Sequence, residues 1–585
     1  MTISQLFGYF AKILGPEKSF YYLAAFYGIA ISLLSLATPI SVQMLINTIA
    51  NTGLALPLFV LSATLFGLLL ISGLLNALRI HLMEIFGRRF YARMVSEIAL
   101  RSIYAQNPFF TDDGKAALFN RYFDIIVVQK TIPYLAIGGF TLVLQAVVGF
   151  VLTSMYHPLF LAFNIVVIVL LWLTWVVWGR SAIRAAMDLS HKKHEAAAWL
   201  EGLGSSNGFF KSKRHIAHAL THTDTATGKY IEQHRFHFRQ YFAQTVSLLV
   251  IYALASASLL GLGGWLVIQG QLSLGQLVAA ELVLSAVFFG ISQLGPYLTY
   301  FYDLCAAIEE LSLFYDVEQE EPSGDHLPDR CDSSLSFNNV HGDARGRDAV
   351  LNFDIPSGAN VMAASANHGL QRFLANVLKR HDEPRGGYAT FGGADILDTN
   401  VHALRQEIIV IDRPTIIETT VREYLRLNSD EHAPQETLRA LEATGLEPVI
   451  SQLPDGLDTK IAHTGWPLSI AEVMQLKLTA AILAKPRVLI LNQLFDLMHE
   501  DCLTRALQYI EREEEITMIY FSNRRKDLRV FKKYLYLDYE QQTVLDHFND
   551  FYQMAYGGAP TQSLSPTPDQ RAVSAPPSVA VLGKG

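Results

Sequence analysis

Six stretches of this chain are apolar for about 20 residues or more, which is long enough for a helix to cross the ~30 Å hydrocarbon core of a bilayer. They run at about 21–47, 56–79, 133–156, 159–179, 241–268 and 274–300. Inside a bilayer the backbone must satisfy its own hydrogen bonds, so each stretch is expected to be a helix. Composition agrees: 51% of the 585 residues are hydrophobic and 17% are charged, against about 25% charged in soluble globular chains. The net charge of −8 argues against a nucleic-acid binder, which would carry a basic face. Cys305, Cys331 and Cys502 are far apart and odd in number, which disfavours a disulfide framework or a zinc site. The first apolar stretch has no short core ending in a small-residue cleavage site, so it reads as a retained helix. The segment before it, QLFGYFAKIL, is amphipathic and suited to the membrane surface.

The connections between spans are unequal. Those near 48–55, 157–158 and 269–273 contain no Lys or Arg, whereas the two long ones carry Arg88, Arg89, Arg93, Arg101, Arg121, Lys130, Arg180, Arg184, Lys192, Lys193 and others. Basic residues near a membrane mark the cytoplasmic side. Both long connections, both termini and the C-terminal part are therefore expected in the cytoplasm, with the chain in the inner or plasma membrane. The long connections read as helical extensions of the spans. Glu281 is the one carboxylate clearly inside a span. It either snorkels outward or meets a polar neighbour such as Gln145, or it serves a substrate or proton.

Residues 311–333 are acidic with two prolines and read as a linker. From 334 to 553 short strands (LSFNNV, AVLNFDI, ANVMAAS, IIVID, RVLIL, TMIYFS) alternate with helices, the pattern of an α/β domain on a largely parallel sheet. Residues 557–585 are rich in Pro, Ser, Ala and Gly and are expected to be disordered.

Six spans, two long loops and a C-terminal α/β domain together resemble a half-size ABC exporter over about residues 1–550. The most specific stretch is DGLDTKIAHTGWPLSIAEVMQLKLTAAILAKPRVLILNQLFD, Asp455 to Asp496. It looks like the family's signature region running into its Walker B strand. IPSGANVMAASANHGLQRFL resembles the strand, phosphate loop and helix of Walker A, and PTIIETTVREYL the segment after the Q-loop. The resemblance implies an all-α six-helix transmembrane domain, residues 1–310, followed by a P-loop-NTPase-like α/β domain that binds ATP and Mg²⁺.

The departures from that pattern are concentrated where the chemistry sits. A phosphate loop needs glycines, a Lys for the β/γ-phosphates and a hydroxyl for Mg²⁺. Here G-x-x-G-x-G-K-S/T becomes Ser365-Ala366-Asn367-His368-Gly369-Leu370-Gln371-Arg372. Walker B ends in Asn492-Gln493 rather than Asp-Glu, which removes both charges. The Q-loop position holds Asp412 and the switch-histidine position holds Asn523. The signature L-S-G-G-Q reads Leu468-Ser469-Ile470-Ala471-Glu472. No aromatic is obvious where the family stacks adenine. The expectation is an ABC fold without its own ATP hydrolysis, with weak nucleotide binding through Arg372 as a lesser alternative. No resident metal is expected.

In the family, two nucleotide domains pair head to tail around ATP. The resemblance therefore implies a non-hydrolysing half of a heterodimeric exporter in the lipid bilayer, paired with an intact ABC subunit and moving an unidentified substrate. A homodimer is the other pairing. A membrane scaffold or regulator on the same fold is the runner-up, and an active ATP-driven exporter ranks lowest. His191, His194, His215, His218, His222, His234 and His237 cluster in the second long connection. His215, His218 and His222 could present a metal-binding helix face, but a solvated face is the preferred reading.

Overall fold

The computed structural model describes residues 3–51, 55–106, 115–320, 324, 332–428, 434–512, 515–540 and 542–557. Apart from Gly557, the expected tail lies outside these residues, as do 321–323 and 325–331 of the expected linker. The chain divides into two compact units, Met1–Glu320 and Glu321–Gly585.

The first unit is helical: α1 (Ile3–Leu14), α2 (Lys18–Ser35), α3 (Ala37–Asn51), α4 (Ala55–Ile103), α5 (Asp124–Tyr134), α6 (Phe140–Ser154), α7 (Pro158–Ser205), α8 (Lys213–Ile268), α9 (Leu274–Ser292) and α10 (Leu294–Ser312). Among the described residues six helical stretches are long and apolar enough to cross a membrane. Their outer faces carry exposed Phe26, Phe59, Leu70 and Trp172, which suits contact with lipid. α4, α7 and α8 hold 49, 48 and 56 residues. At 1.5 Å per residue each is about 70–85 Å long, more than twice the hydrocarbon thickness.

Two spans are broken where the sequence reads as continuous. α2 stops at Leu36, three residues before Pro39, and α9 stops at Gln293, three before Pro296. In each case the proline has no N–H for the preceding turn. The stretch 274–300 is thus two helices. Pro133 lies inside α5, shortly before a π-helical turn at Leu135–Gly139.

Buried carboxylates tie this unit together at one level. Arg93 Nε meets Glu17 at 2.7 Å, Arg121 Nε meets Glu310 at 2.6 Å, and Lys193 Nζ meets Asp124 at 2.9 Å. His194 Nε2 lies 2.6 Å from Asp124, and His191 Nε2 lies 3.2 Å from Glu309. Two of the clustered histidines, His194 and His237, are buried. His218 and His222 are exposed, and no metal-binding group of three or more ligands occurs among the described residues.

The second unit holds two larger sheets and a short strand pair. β1 (Leu335–Asp343), β2 (Asp348–Ile355), β4 (Gly386–Phe391) and β5 (Ala394–Asp395) form an antiparallel sheet of order β2-β1-β4-β5. β3 (Asn360–Ser365), β6 (Ile408–Ile411), β9 (Val488–Leu491), β10 (Thr517–Phe521), β11 (Lys533–Leu537) and β12 (Gln542–Leu545) form the main sheet, ordered β12-β11-β3-β10-β9-β6 and parallel except at β12. β7 (Thr419–Thr420) pairs with β8 (Lys460–Ile461). Every residue of β9 and β10 is buried, as expected of parallel strands covered on both faces. The helices are α11 (His368–Leu378), α12 (Val401–Glu407), α13 (Val421–Arg426), α14 (Pro434–Thr444), α15 (Glu447–Gln452), α16 (Ile470–Ala484), α17 (Glu500–Glu511) and α18 (Phe548–Tyr556).

Candidate functional site

In open parallel sheets, ligands bind beyond the carboxyl ends of the strands. Here the ends of β3, β6, β9 and β10 bring together the segments after Ser365, Ile411, Leu491 and Phe521, which hold the expected degenerate positions.

The segment after β3 closes quickly into α11. Asn367 caps that helix: its Oδ1 accepts the Gly369 N–H at 2.8 Å. A helix N-terminus binds phosphate through its free N–H groups, and here the Gly369 N–H is taken by the chain itself. The turn between β1 and β2 closes in from the other side. A Cβ built on Gly369 would lie 3.2 Å from Arg345 Cγ and 3.3 Å from the Ala344 backbone. One turn on, the Phe373 ring fills the space above Gly342, where a Cβ would fall 2.2 Å from it. His368 is exposed, while Leu370 and Gln371 are buried. Gln371 Oε1 and Ser365 Oγ find no hydrogen-bond partner.

Asn492 is buried and bridges two strand ends. Its Nδ2 donates to the Asp412 carbonyl at 2.7 Å, and its Oδ1 accepts the Leu494 N–H at 3.0 Å. Gln493 opens the following 3-10 turn, Gln493–Leu497. Basic groups gather around Asp412. Arg413 Nε is 4.0 Å away, and Lys477 Nζ donates to the Arg413 carbonyl at 2.8 Å. Burial pushes the Lys477 ammonium down to about 8, and Lys379 is lowered for the same reason.

No motif singles out Asp496. Its carboxylate accepts hydrogen bonds from Tyr520 Oη, from Ser522 Oγ at 2.7 Å and from the Asn523 N–H at 2.9 Å. Arg524 Nη2 donates to the carbonyls of Asp496 and Met498 at 3.0 and 2.8 Å. The residues around the switch position are thereby fixed to the turn that follows Walker B. Burial, with the Asp496 carboxylate beside it, raises the Tyr520 phenol far above its ordinary range.

The signature residues serve their own helix. Ser469 Oγ accepts the Glu472 N–H at 3.3 Å and Glu472 Oε2 accepts the Ser469 N–H at 2.7 Å, a capping box. Leu468 is buried, Ala471 is partly buried and Ile470 is exposed. Trp466 is 75% exposed and Ile470 54% exposed, one on either side of the cap.

These residues do not fit a magnesium nucleotide. The position over the loop carries a buried amide rather than an ammonium, the helix N–H is bonded internally, and an amide that already holds two backbone groups stands where the metal needs a carboxylate. No step through ATP is derived from them.

In the membrane unit, Glu281 Oε1 accepts from Ser285 Oγ at 2.8 Å, and Oε2 is buried without a partner. The hydrogen bond is to Ser285 rather than to Gln145, and the second oxygen is not snorkelled to solvent.

In fold the chain is similar to half-size ABC exporters: six candidate spans are followed by an α/β unit. The chain superimposes on a bacterial Atm1-family ABC exporter solved with ATP bound, with a TM-score of 0.78 and 17% identity over 94% of this chain and 98% of that one. It is 24% identical over 543 residues to the ABC multidrug transporter mdr2 of Aspergillus fumigatus, covering 86% of this chain and 66% of the relative. It is 23% identical to the mitochondrial ATP-dependent permease MDL2 of Saccharomyces cerevisiae, covering 89% and 69%. The ATP-dependent lipid A-core flippase of Neisseria gonorrhoeae is 25% identical over 268 residues, 45% of this chain and 43% of the flippase. The chain thus spans from under half to about two thirds of the lengths of these relatives. No family profile matches it.

Proposed function

We propose that this chain is the non-hydrolysing half of a heterodimeric ABC-type exporter in the cytoplasmic membrane. Its termini and α/β unit face the cytoplasm, and its spans form half of a translocation path. The observation that carries this reading is the Asn367–Gly369 bond at 2.8 Å, which occupies one of the helix N–H groups a phosphate would need. The absence of an ammonium at 371 and of carboxylates at 492 and 493 supports it, since charge neutralisation and positioning supply nearly all of phosphoryl-transfer catalysis. Pairing with another subunit is supported by exposed Trp466 and Ile470 beside the signature cap, because large apolar side chains left in water mark interaction sites. It is also supported by the relatives being transporters.

Two measurements test the proposal together. The full-length chain, purified alone, is expected to turn over no ATP. Isolated gently from its native membrane, it is expected to bring with it an ABC subunit whose phosphate loop is intact. ATP turnover by the chain alone, lost on Asn492→Ala or Gln493→Ala, would overturn the reading. So would isolation only as a homodimer.

A further inference from the structure

The α/β unit holds a recess of about 180 Å³ between α14, the end of α16, β9 and the end of α17. Lys485 and Pro486 lead into β9 and Ile516 leads into β10. The recess therefore lies at the amino ends of these strands, away from the loops described above. Ala440, Ala481, Leu489 and Ile510 line its buried part, each at most 3% exposed. Ala440 belongs to the core cluster that also holds Leu441 and Leu483. The other three belong to the cluster that also holds Met518 and Tyr520 of β10. The recess is a seam between two cores, with alanines on α14 and α16 where larger side chains would fill it. Protein interiors hold few voids larger than a water, and an apolar lining gives water too few partners to stay.

The rim is charged. Glu436, Arg439 and Lys485 all line the recess. Lys485 Nζ lies 3.7 Å from Glu436 Oε1, so these two charges offset one another. Arg439 lines the same space from one turn further along α14. It is exposed, and its guanidinium makes no ion pair or hydrogen bond among the described residues. The charged side chains of the lining therefore sum to one positive charge, carried by a fork of donors that matches a carboxylate. An apolar space of roughly 150 Å³ accepts a benzene-sized body.

We propose that this recess binds a small carboxylic acid, with a ring or branched alkyl body against Ala440, Ala481 and Leu489 and its carboxylate paired to Arg439. The apolar lining takes the body, and the single unmatched cation on the rim selects a monoanionic head. The inference is independent of which subunit the chain pairs with and of nucleotide chemistry.

The test is equilibrium dialysis of radiolabelled phenylacetate against the purified full-length chain in detergent, with protein-free detergent subtracted. Unlabelled phenylacetate, phenylacetamide and acetate serve as competitors. Phenylacetate is expected to compete about tenfold or more better than phenylacetamide, which keeps the body and loses the charge. Acetate, which keeps the charge and loses the body, is expected not to compete. Arg439→Gln is expected to lower phenylacetate affinity to the amide level and Arg439→Lys to keep part of it. Ile516→Trp, at a half-buried lining position, is expected to block both aromatic ligands with Arg439 intact. Equal competition by phenylacetamide, displacement by acetate, or unchanged affinity in Arg439→Gln would each overturn the proposal. Should Ile516→Trp fail to fold, the competitor series on the unmodified protein and the surface change Arg439→Gln decide it.

Discussion

Asn492 holds the Asp412 carbonyl with its side-chain amide at 2.7 Å, so the residue that ends β9 also fixes the chain leaving β6. An aspartate at the same position would turn an acceptor towards an acceptor. Asn492→Asp is therefore expected to destabilise the α/β unit by about 1–3 kcal/mol, read as a lower urea midpoint. The quadruple variant Asn492→Asp, Gln493→Glu, Gln371→Lys, Arg372→Ser is expected to stay inactive as an ATPase, because the Asn367 cap still occupies the helix N-terminus. Recovery of turnover in that variant would refute the account of the loop.

The cap itself makes a separate prediction. Asn367→Ala removes the acceptor of the Gly369 N–H and should cost about 1 kcal/mol, while Asn367→Gly should cost only a few tenths. Thermal unfolding of the full-length protein in detergent checks both. An alanine variant as stable as the parent would mean that the cap contributes nothing.

Asp496 gathers three donors from the Tyr520–Asn523 segment. Asp496→Ala leaves the fully buried Tyr520, the Ser522 hydroxyl and the Asn523 N–H without their acceptor. The expected loss is about 3 kcal/mol. Hydrogen exchange should speed up at Asn523 and Arg524 before it does in the core strands. Unchanged protection there would show that other contacts hold the segment.

Lys477 gives the unit a pH dependence. In an unfolded chain its ammonium keeps its proton to the ordinary lysine value of 10.5, and burial in the folded unit lowers that to about 8. Between these values the unfolded state binds more protons, so stability rises with pH. Below about 8 both states are charged and the burial penalty stands in full. Lys477→Met is expected to raise the unfolding midpoint at about pH 7 and to flatten the rise towards about pH 10. A midpoint that falls at neutral pH would sink this assignment and give the Lys477–Arg413 bond the larger weight.

Much of the fold follows from local pattern. β9 and the interiors of β3 and β10 are short apolar runs (VLIL, VMAA and MIYF), which suits buried strands. The capping box at Ser469 and Glu472 was readable as S-x-x-E before an apolar run, although the resemblance drew the eye to a signature instead. The helix breaks at Leu36 and Gln293 were signalled by Pro39 and Pro296, but hydropathy averaged over a span does not register a missing N–H. Asp496 was not legible, for a different reason. Its importance lies in partners 24 to 27 residues away in sequence, and a single charged residue beside an apolar run looks the same whether it meets water or closes on a distant hydroxyl. The surroundings of His191 and His194 on α7 are hidden likewise, because only the distant Asp124, Glu309 and Glu310 decide that they are partly covered.

The contact of Phe373 with Gly342 limits how this sequence can change. Any residue with a Cβ at 342 strikes the ring, and trimming the ring first opens a void costing about 3–5 kcal/mol. The start of α11 is therefore pinned at two points, by Gly369 to the β1–β2 turn and by Phe373 to the end of β1. Evolution acting one codon at a time meets a ratchet here: each single step towards a wider loop passes through a less stable protein, so the present shape is easier to keep than to leave.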